Sequence, residues 1–239
     1  MEIEICCGSF LDALNAYKGN ASRIELNSSL YLGGLTPTIA CLRLIKENTN
    51  LKVICMVRPR AGGFNYINDE YKQMYIETKL LLENGADGIA FGILNDNYDI
   101  DDRNNELLKL IKQYNKEAIF HRAYDQTSNP YNTIEKLIEL GFDRVLTSGQ
   151  KKTAIEGKEL IKDLQLKYGN KIEILAGSGI NDTNAKDFVE YTGIKQIHSS
   201  CKDYLIDSTA NKNVSFDYLN DNKYEIVSTD KVKKLISLF

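Results

Sequence analysis

At 239 residues, 43% of them hydrophobic, and with a formal charge of −3, the chain can bury one large core but has no basic stripe for displacing counterions from nucleic acid. No apolar run approaches the roughly 18 residues that span a bilayer, and the acidic start Met1-Glu2-Ile3-Glu4 is unlike a signal peptide. Five cysteines without a CxxC pair, and two histidines, argue against a disulfide framework or a Cys/His zinc cage, so the expectation is a cytoplasmic protein with reduced thiols.

Apolar runs of strand length then alternate with longer segments of helical period almost to the end. Ile3 to Cys6 predicts a strand and Phe10 to Tyr17 a helix. Arg23 to Leu26 is the second strand, and Thr36-Pro37 is expected to open the second helix. Lys52 to Val57 precedes a helix over Asp69 to Glu83, and Gly88 to Phe91 one over Asp102 to Gln113. Ala118 to His121 leads into the helix from Tyr131 to Leu140. Arg144 to Thr147, Glu173 to Ala176 and Gln196 to His198 complete the strands, with helices near Ala154 to Lys167 and Asn184 to Glu190, and a last helix over Asp230 to Leu238. Eight strand-helix units predict a single (β/α)8 TIM barrel over residues 1–239; a doubly wound open sheet fits less well because no second domain is left over. Residues 201–228 are the one irregular segment, read as a flap over the site or a contact for a partner, a second copy included.

In such a barrel the C-terminal ends of the strands share one mouth. Those ends hold Cys6; Glu25 and Asn27; Arg58 and Arg60; His121, Arg122 and Asp125; Ser148; Gly177, Ser178 and Gly179; and His198 with Ser199. Strand alternation turns Glu4, Cys6, Glu25 and Asn27 inward, with Ile3, Ile5, Ile24 and Leu26 outward, and sends Cys6 and Cys7 to opposite faces. Glu25 reads as a general base or as the ion-pair partner of Arg58 or Arg60. His121 is a candidate acid or base with Asp125 beside it, and Arg58, Arg60, Arg122 and Ser148 are candidates for holding an anionic metabolite. Gly177-Ser178-Gly179, with His198 and Ser199, has the composition of a phosphate cradle followed by a helix starting at Asn181-Asp182.

Taken together, Glu4-Ile5-Cys6, Arg23-Ile24-Glu25-Leu26, Gly33-Gly34-Leu35-Thr36-Pro37, Arg58-Pro59-Arg60, Phe120-His121-Arg122-Ala123-Tyr124-Asp125, Arg144 to Gln150 and His198-Ser199-Ser200 resemble the CutC family. The resemblance implies a barrel, a cytoplasmic location and a part in copper homeostasis through Cu(I). It further implies one cysteine at the end of the first strand and another at the end of the second. This chain has Cys6 at the first position and Asn27 at the second, and an amide is a poor Cu(I) ligand, which leaves Cys7 or Cys201 as partners for Cys6. The alternative function is a TIM-barrel enzyme acting on a small anionic metabolite, phosphorylated ones included.

Overall fold

A computed structural model describes residues 1–216, 218–219 and 221–239. Eight parallel strands close into a barrel in chain order: β1 (Glu2–Cys7), β2 (Arg23–Leu26), β3 (Lys52–Met56), β4 (Gly88–Phe91), β5 (Glu117–Phe120), β6 (Arg144–Thr147), β7 (Glu173–Ala176) and β8 (Gln196–Ser199), which pairs back onto β1. The helices between them are α1 (Phe10–Lys18), α2 (Ile39–Asn48), α3 (Asn68–Glu83), α4 (Asn104–Gln113), α5 (Pro130–Leu140), α6 (Lys158–Tyr168) and α7 (Ala185–Thr192). None of the described helices is long and apolar enough to cross a membrane.

Local chemistry explains most boundaries. The α5 helix begins where Asn129 accepts hydrogen bonds from the amides of Tyr131 and Asn132, has Pro130 in its first turn, and stops at Gly141, whose φ of 91° is cheap only without a Cβ. Helix α2 starts later than Thr36-Pro37 suggests. Thr36 is held elsewhere, its hydroxyl bonded to Glu77 and to the Arg58 amide, and Thr38 caps the helix instead. Helix α6 begins at Lys158, four residues after the expected Ala154, because Gly149 and Gly157 pack backbone against backbone there: a Cβ on Gly157 would stand 2.0 Å from the Ser148 carbonyl.

The two faces of the strands divide the interior. Outward residues such as Ile5, Ile24, Val53, Phe91, Val145 and Ile197 join the helices in the main core, while Ile54, Met56, Ala90, Ile119, Leu146 and Leu175 form a separate apolar layer inside the barrel. Below that layer the barrel is plugged by charge. Arg144, almost fully buried, pairs with Glu4 (3.4 Å), Glu117 (2.9 Å) and Glu173 (2.9 Å), and Arg23 pairs with Glu4 (2.8 Å) while donating to Gln196 (2.7 Å). Those contacts hold the Glu4 carboxyl at about 2: burial pushes it up, but the His198 hydrogen bond and the Arg23 and Arg144 charges outweigh it.

Residues 201–228 are more regular than their composition suggests. Strands β9 (Lys202–Ile206) and β10 (Lys223–Val227) form an antiparallel ribbon ahead of α8 (Thr229–Ile236). The ribbon is tied to α1, since Asp12 accepts from the Val227 amide (2.8 Å) and Asn15 donates to its carbonyl (3.0 Å). Tyr218 stacks on Tyr31 at 4.7 Å between ring centroids. Asp217 and Asn220, in the expected irregular segment, lie outside the described residues.

Removing Arg144 leaves three carboxylates without their common cation. Arg144→Met is expected to lose about 3–5 kcal/mol of folding free energy. Arg60→Ala, which breaks a half-exposed pair with Glu70, is expected to lose no more than about 1 kcal/mol. Urea unfolding followed by circular dichroism, in a chain with no tryptophan, checks both.

Candidate functional site

Strand register builds the centre of the site. In the parallel ladders Glu4 lies opposite His198 and Cys6 lies opposite Glu25, all on the inward face, so one pairing register sets four chemically active side chains side by side. His198 Nδ1 is 3.0 Å from Glu4 Oε1, and its Nε2 is 4.0 Å from Glu25 Oε2. Cys6 Sγ is 3.9 Å from the same Glu25 oxygen. Asn27 donates to Glu25 Oε2 (2.9 Å) and to Cys6 Sγ (3.6 Å), so the amide at the position implied for a second cysteine orients the other two groups.

The protons are distributed by this packing. Burial raises the Cys6 thiol, with the Glu25 and Glu4 charges adding to it against the pull of His198. Burial alone would favour a neutral His198, but its contacts with Cys6, Glu4 and Glu25 outweigh that cost and hold the ring protonated well above the ordinary histidine range. Glu25 is raised chiefly by burial and by nearby Glu4, and the His198 charge opposes the shift. Among the described residues, Cys6, Glu25 and His198 offer one ligand atom each within 4.8 Å of one another.

Above them opens a cavity of about 910 Å³, lined by Cys6, Glu25 and His198 on one side and by Arg58, His121 and Arg122 on another. The sequence-derived candidates divide around it. Gly177, Ser178, Gly179, Ser199 and Asp125 also line this cavity; Ser148 and Arg60 do not. Arg60 turns away to Glu70 and the Asn65 carbonyl beside a smaller cavity of about 530 Å³. Arg58 donates to the carbonyls of Leu32, Gly34 and Gly62, so neither arginine pairs with Glu25, whose partners are Asn27, Cys6 and His198.

Asp125 accepts from Thr147 (2.6 Å), from the amides of Ser148 and Gln150, and from Arg122 (2.8 Å), which fastens the loop after β5 to the loop after β6. Ser148 sits inside that clamp. Ser178 and Gly179 are both left-handed, at φ 78° and 80°, and Ser178 donates to the Lys152 carbonyl. Helix α7 starts at Ala185 and not at Asn181, because Asn181 and Asn184 cap the turn at Gly179 first. Cys7 packs into the main core and Cys201 lies against Ser199 (3.6 Å), so neither turns toward Cys6 as a second thiolate.

His121 is buried with its Nδ1 accepting from the Ala123 amide (3.2 Å). Burial, reinforced by the Arg58 charge, pushes its pKa down to about 3. A ring that accepts at Nδ1 and is neutral carries its proton on Nε2. The two histidines are therefore expected to differ at pH 7: His121 neutral as the Nε2–H tautomer, His198 an imidazolium. Ring 15N shifts across pH 5–8 check this, and a titration of His121 near the unfolded value of about 6.5 would contradict it. Because the unfolded chain takes up this proton first, His121 should also make stability fall as pH drops from about 6.5 toward 3.

With this geometry fixed, comparison with known proteins is direct. The family model described as CutC family matches residues 1–203. A family protein named CutC from Treponema denticola is 44% identical over 241 residues, covering 99% of this chain and 98% of its own. The mouse copper homeostasis protein cutC homolog is 39% identical over 202 residues, covering 84% and 73%. The crystal structure of a CutC protein from Streptococcus agalactiae superimposes with a TM-score of 0.79 at 30% identity, covering 84% of this chain and 98% of that one. Phosphoribosylanthranilate isomerase from Pyrococcus furiosus, at 15% identity and a TM-score of 0.58, shares the barrel alone. A register that sets Cys6 against Glu25 and Glu4 against His198 thus sits within the matched segment, and the chain belongs to the CutC family.

Proposed function

We propose that this protein binds a soft metal ion, Cu(I) as cargo in copper homeostasis, through Cys6 and His198 with Glu25 alongside. One observation carries the reading: His198 is held at Nδ1 by the buried carboxylate of Glu4 while its Nε2 faces Cys6 and Glu25. Metal-binding histidines are commonly fixed by a carboxylate on the far nitrogen in this way. Thiolate and imidazole suit Cu(I), and the positive charge now carried by the His198 proton marks where a cation is favoured between two buried carboxylates. The names of the mouse and streptococcal relatives support the copper reading. Five free cysteines suit the reducing cytoplasm.

A second reading, an enzyme on a small anionic metabolite, is favoured by the cavity of about 910 Å³, far more room than an ion needs, with Arg58 and Arg122 on its wall.

Anaerobic Cu(I) titration against a competing chelator is expected to give one-to-one binding that is lost in Cys6→Ser and in His198→Phe. Both ligands hold protons at pH 7, so the metal must displace them, and apparent affinity should rise with pH by up to about a hundredfold per unit. Binding that ignores Cys6 or pH would remove the copper reading and leave the second.

A further inference from the structure

His121 and Arg58 are buried polar residues, only 2% and 7% exposed, yet each keeps one nitrogen without a well-formed hydrogen bond: Nε2 of His121, and Nε of Arg58, whose side chain also interacts with the buried and likewise unpartnered Tyr66 hydroxyl. Orphaned buried donors cost stability and call for a reason. Both residues line the mouth cavity, at the ends of β5 and β3. Both also lie against one ring, with the Arg58 guanidinium carbon 5.4 Å from the Phe64 centroid and the His121 ring 4.9 Å from it. Phe64 borders the larger and the smaller cavity alike, with its ring packed against both side chains. Met56 and Leu146 supply apolar walls on the same cavity.

The rest of each side chain is fixed. Three carbonyls hold the Arg58 amino groups, and the Ala123 amide occupies His121 Nδ1, so the free donors are preset in direction. Two donors beside a flat aromatic ring fit a planar oxyanion. A phosphate would leave most of its oxygens unsatisfied there. The surroundings carry positive potential, since the Arg58 charge helps to keep His121 neutral.

We propose that the mouth cavity binds a small carboxylic acid whose oxygens accept from His121 Nε2–H and Arg58 Nε–H after the Phe64 ring swings aside. The proposal deepens the metabolite reading of this cavity and does not depend on copper. It makes His121 a binding donor and not a base.

The test uses the full chain with acetate, pyruvate and inorganic phosphate as probes at constant ionic strength, followed by NMR of the His121 ring and of the Leu146 and Met56 methyl groups. Acetate or pyruvate is expected to shift the His121 Nε2–H signal saturably. His121→Asn keeps an acceptor for the Ala123 amide but lacks the Nε2 donor, and should bind about tenfold or more weakly while staying folded. Absence of saturable binding, or preference for phosphate, overturns the proposal. Saturable binding that is equal in wild type and His121→Asn overturns it too, while leaving the metabolite reading in place.

Discussion

The buried pairing of Glu4 with Arg23, Arg144 and His198 is the constraint on which the rest of the barrel depends. Desolvating four ionisable groups inside one barrel is costly, and the cost is offset only if their geometry is held in place. Glu4 meets Arg23 at one oxygen and His198 at the other, so it links the charged plug below to the reactive cluster above. Beside them the apolar side chains of Ile54, Ile119, Leu146 and Leu175 fill the rest of the barrel interior. A shift of β1 by one residue would turn Glu4 and Cys6 into the hydrocarbon shell of the helices and break plug and site together.

The cavity above this plug has two chemically distinct sides. On one side carboxylates gather around a protonated imidazole, an arrangement that favours positive charge. On the other a neutral imidazole stands near an immobilised guanidinium, the pair on which the proposed carboxylate site rests. The same residue type thus takes opposite roles a short way apart, because His198 has carboxylate neighbours and His121 has an arginine and an aromatic ring. The loop clamp at Asp125 keeps one carboxylate of the cavity lining occupied by Arg122, Thr147 and backbone amides.

Much of this was legible in the chain itself. The period-two alternation of Glu4, Cys6, Glu25 and Asn27 against Ile3, Ile5, Ile24 and Leu26 gave the inward set, and eight strand-helix units gave the closed barrel that makes β1 and β8 neighbours. What alternation could not supply was the stagger between strands, and without it His198 read as part of a phosphate cradle next to Gly179, not as the partner of Glu4. The same gap misassigned the partner of Glu25: a strand-end arginine can reach inward or back along its own loop, and here the carbonyls of Leu32, Gly34 and Gly62 hold Arg58 and the carboxylate of Glu70 holds Arg60. The part Asp125 plays in fastening two loops was not legible either, because a polar loop and a fastened loop have the same composition. Polar, Asn-rich composition likewise concealed the β9–β10 ribbon, whose pairing is antiparallel and held at its base by Asp12 and Asn15.

That ribbon also shapes the entrance of the site. Glu225, Ile226, Val227 and Lys231 form part of the cavity wall, although the family model ends at residue 203. The barrel strands carry the cluster at the bottom of the pocket while the ribbon frames its doorway, so a substitution in the ribbon can alter which molecules enter without touching the cluster, much as one lock mechanism is sold behind different faceplates.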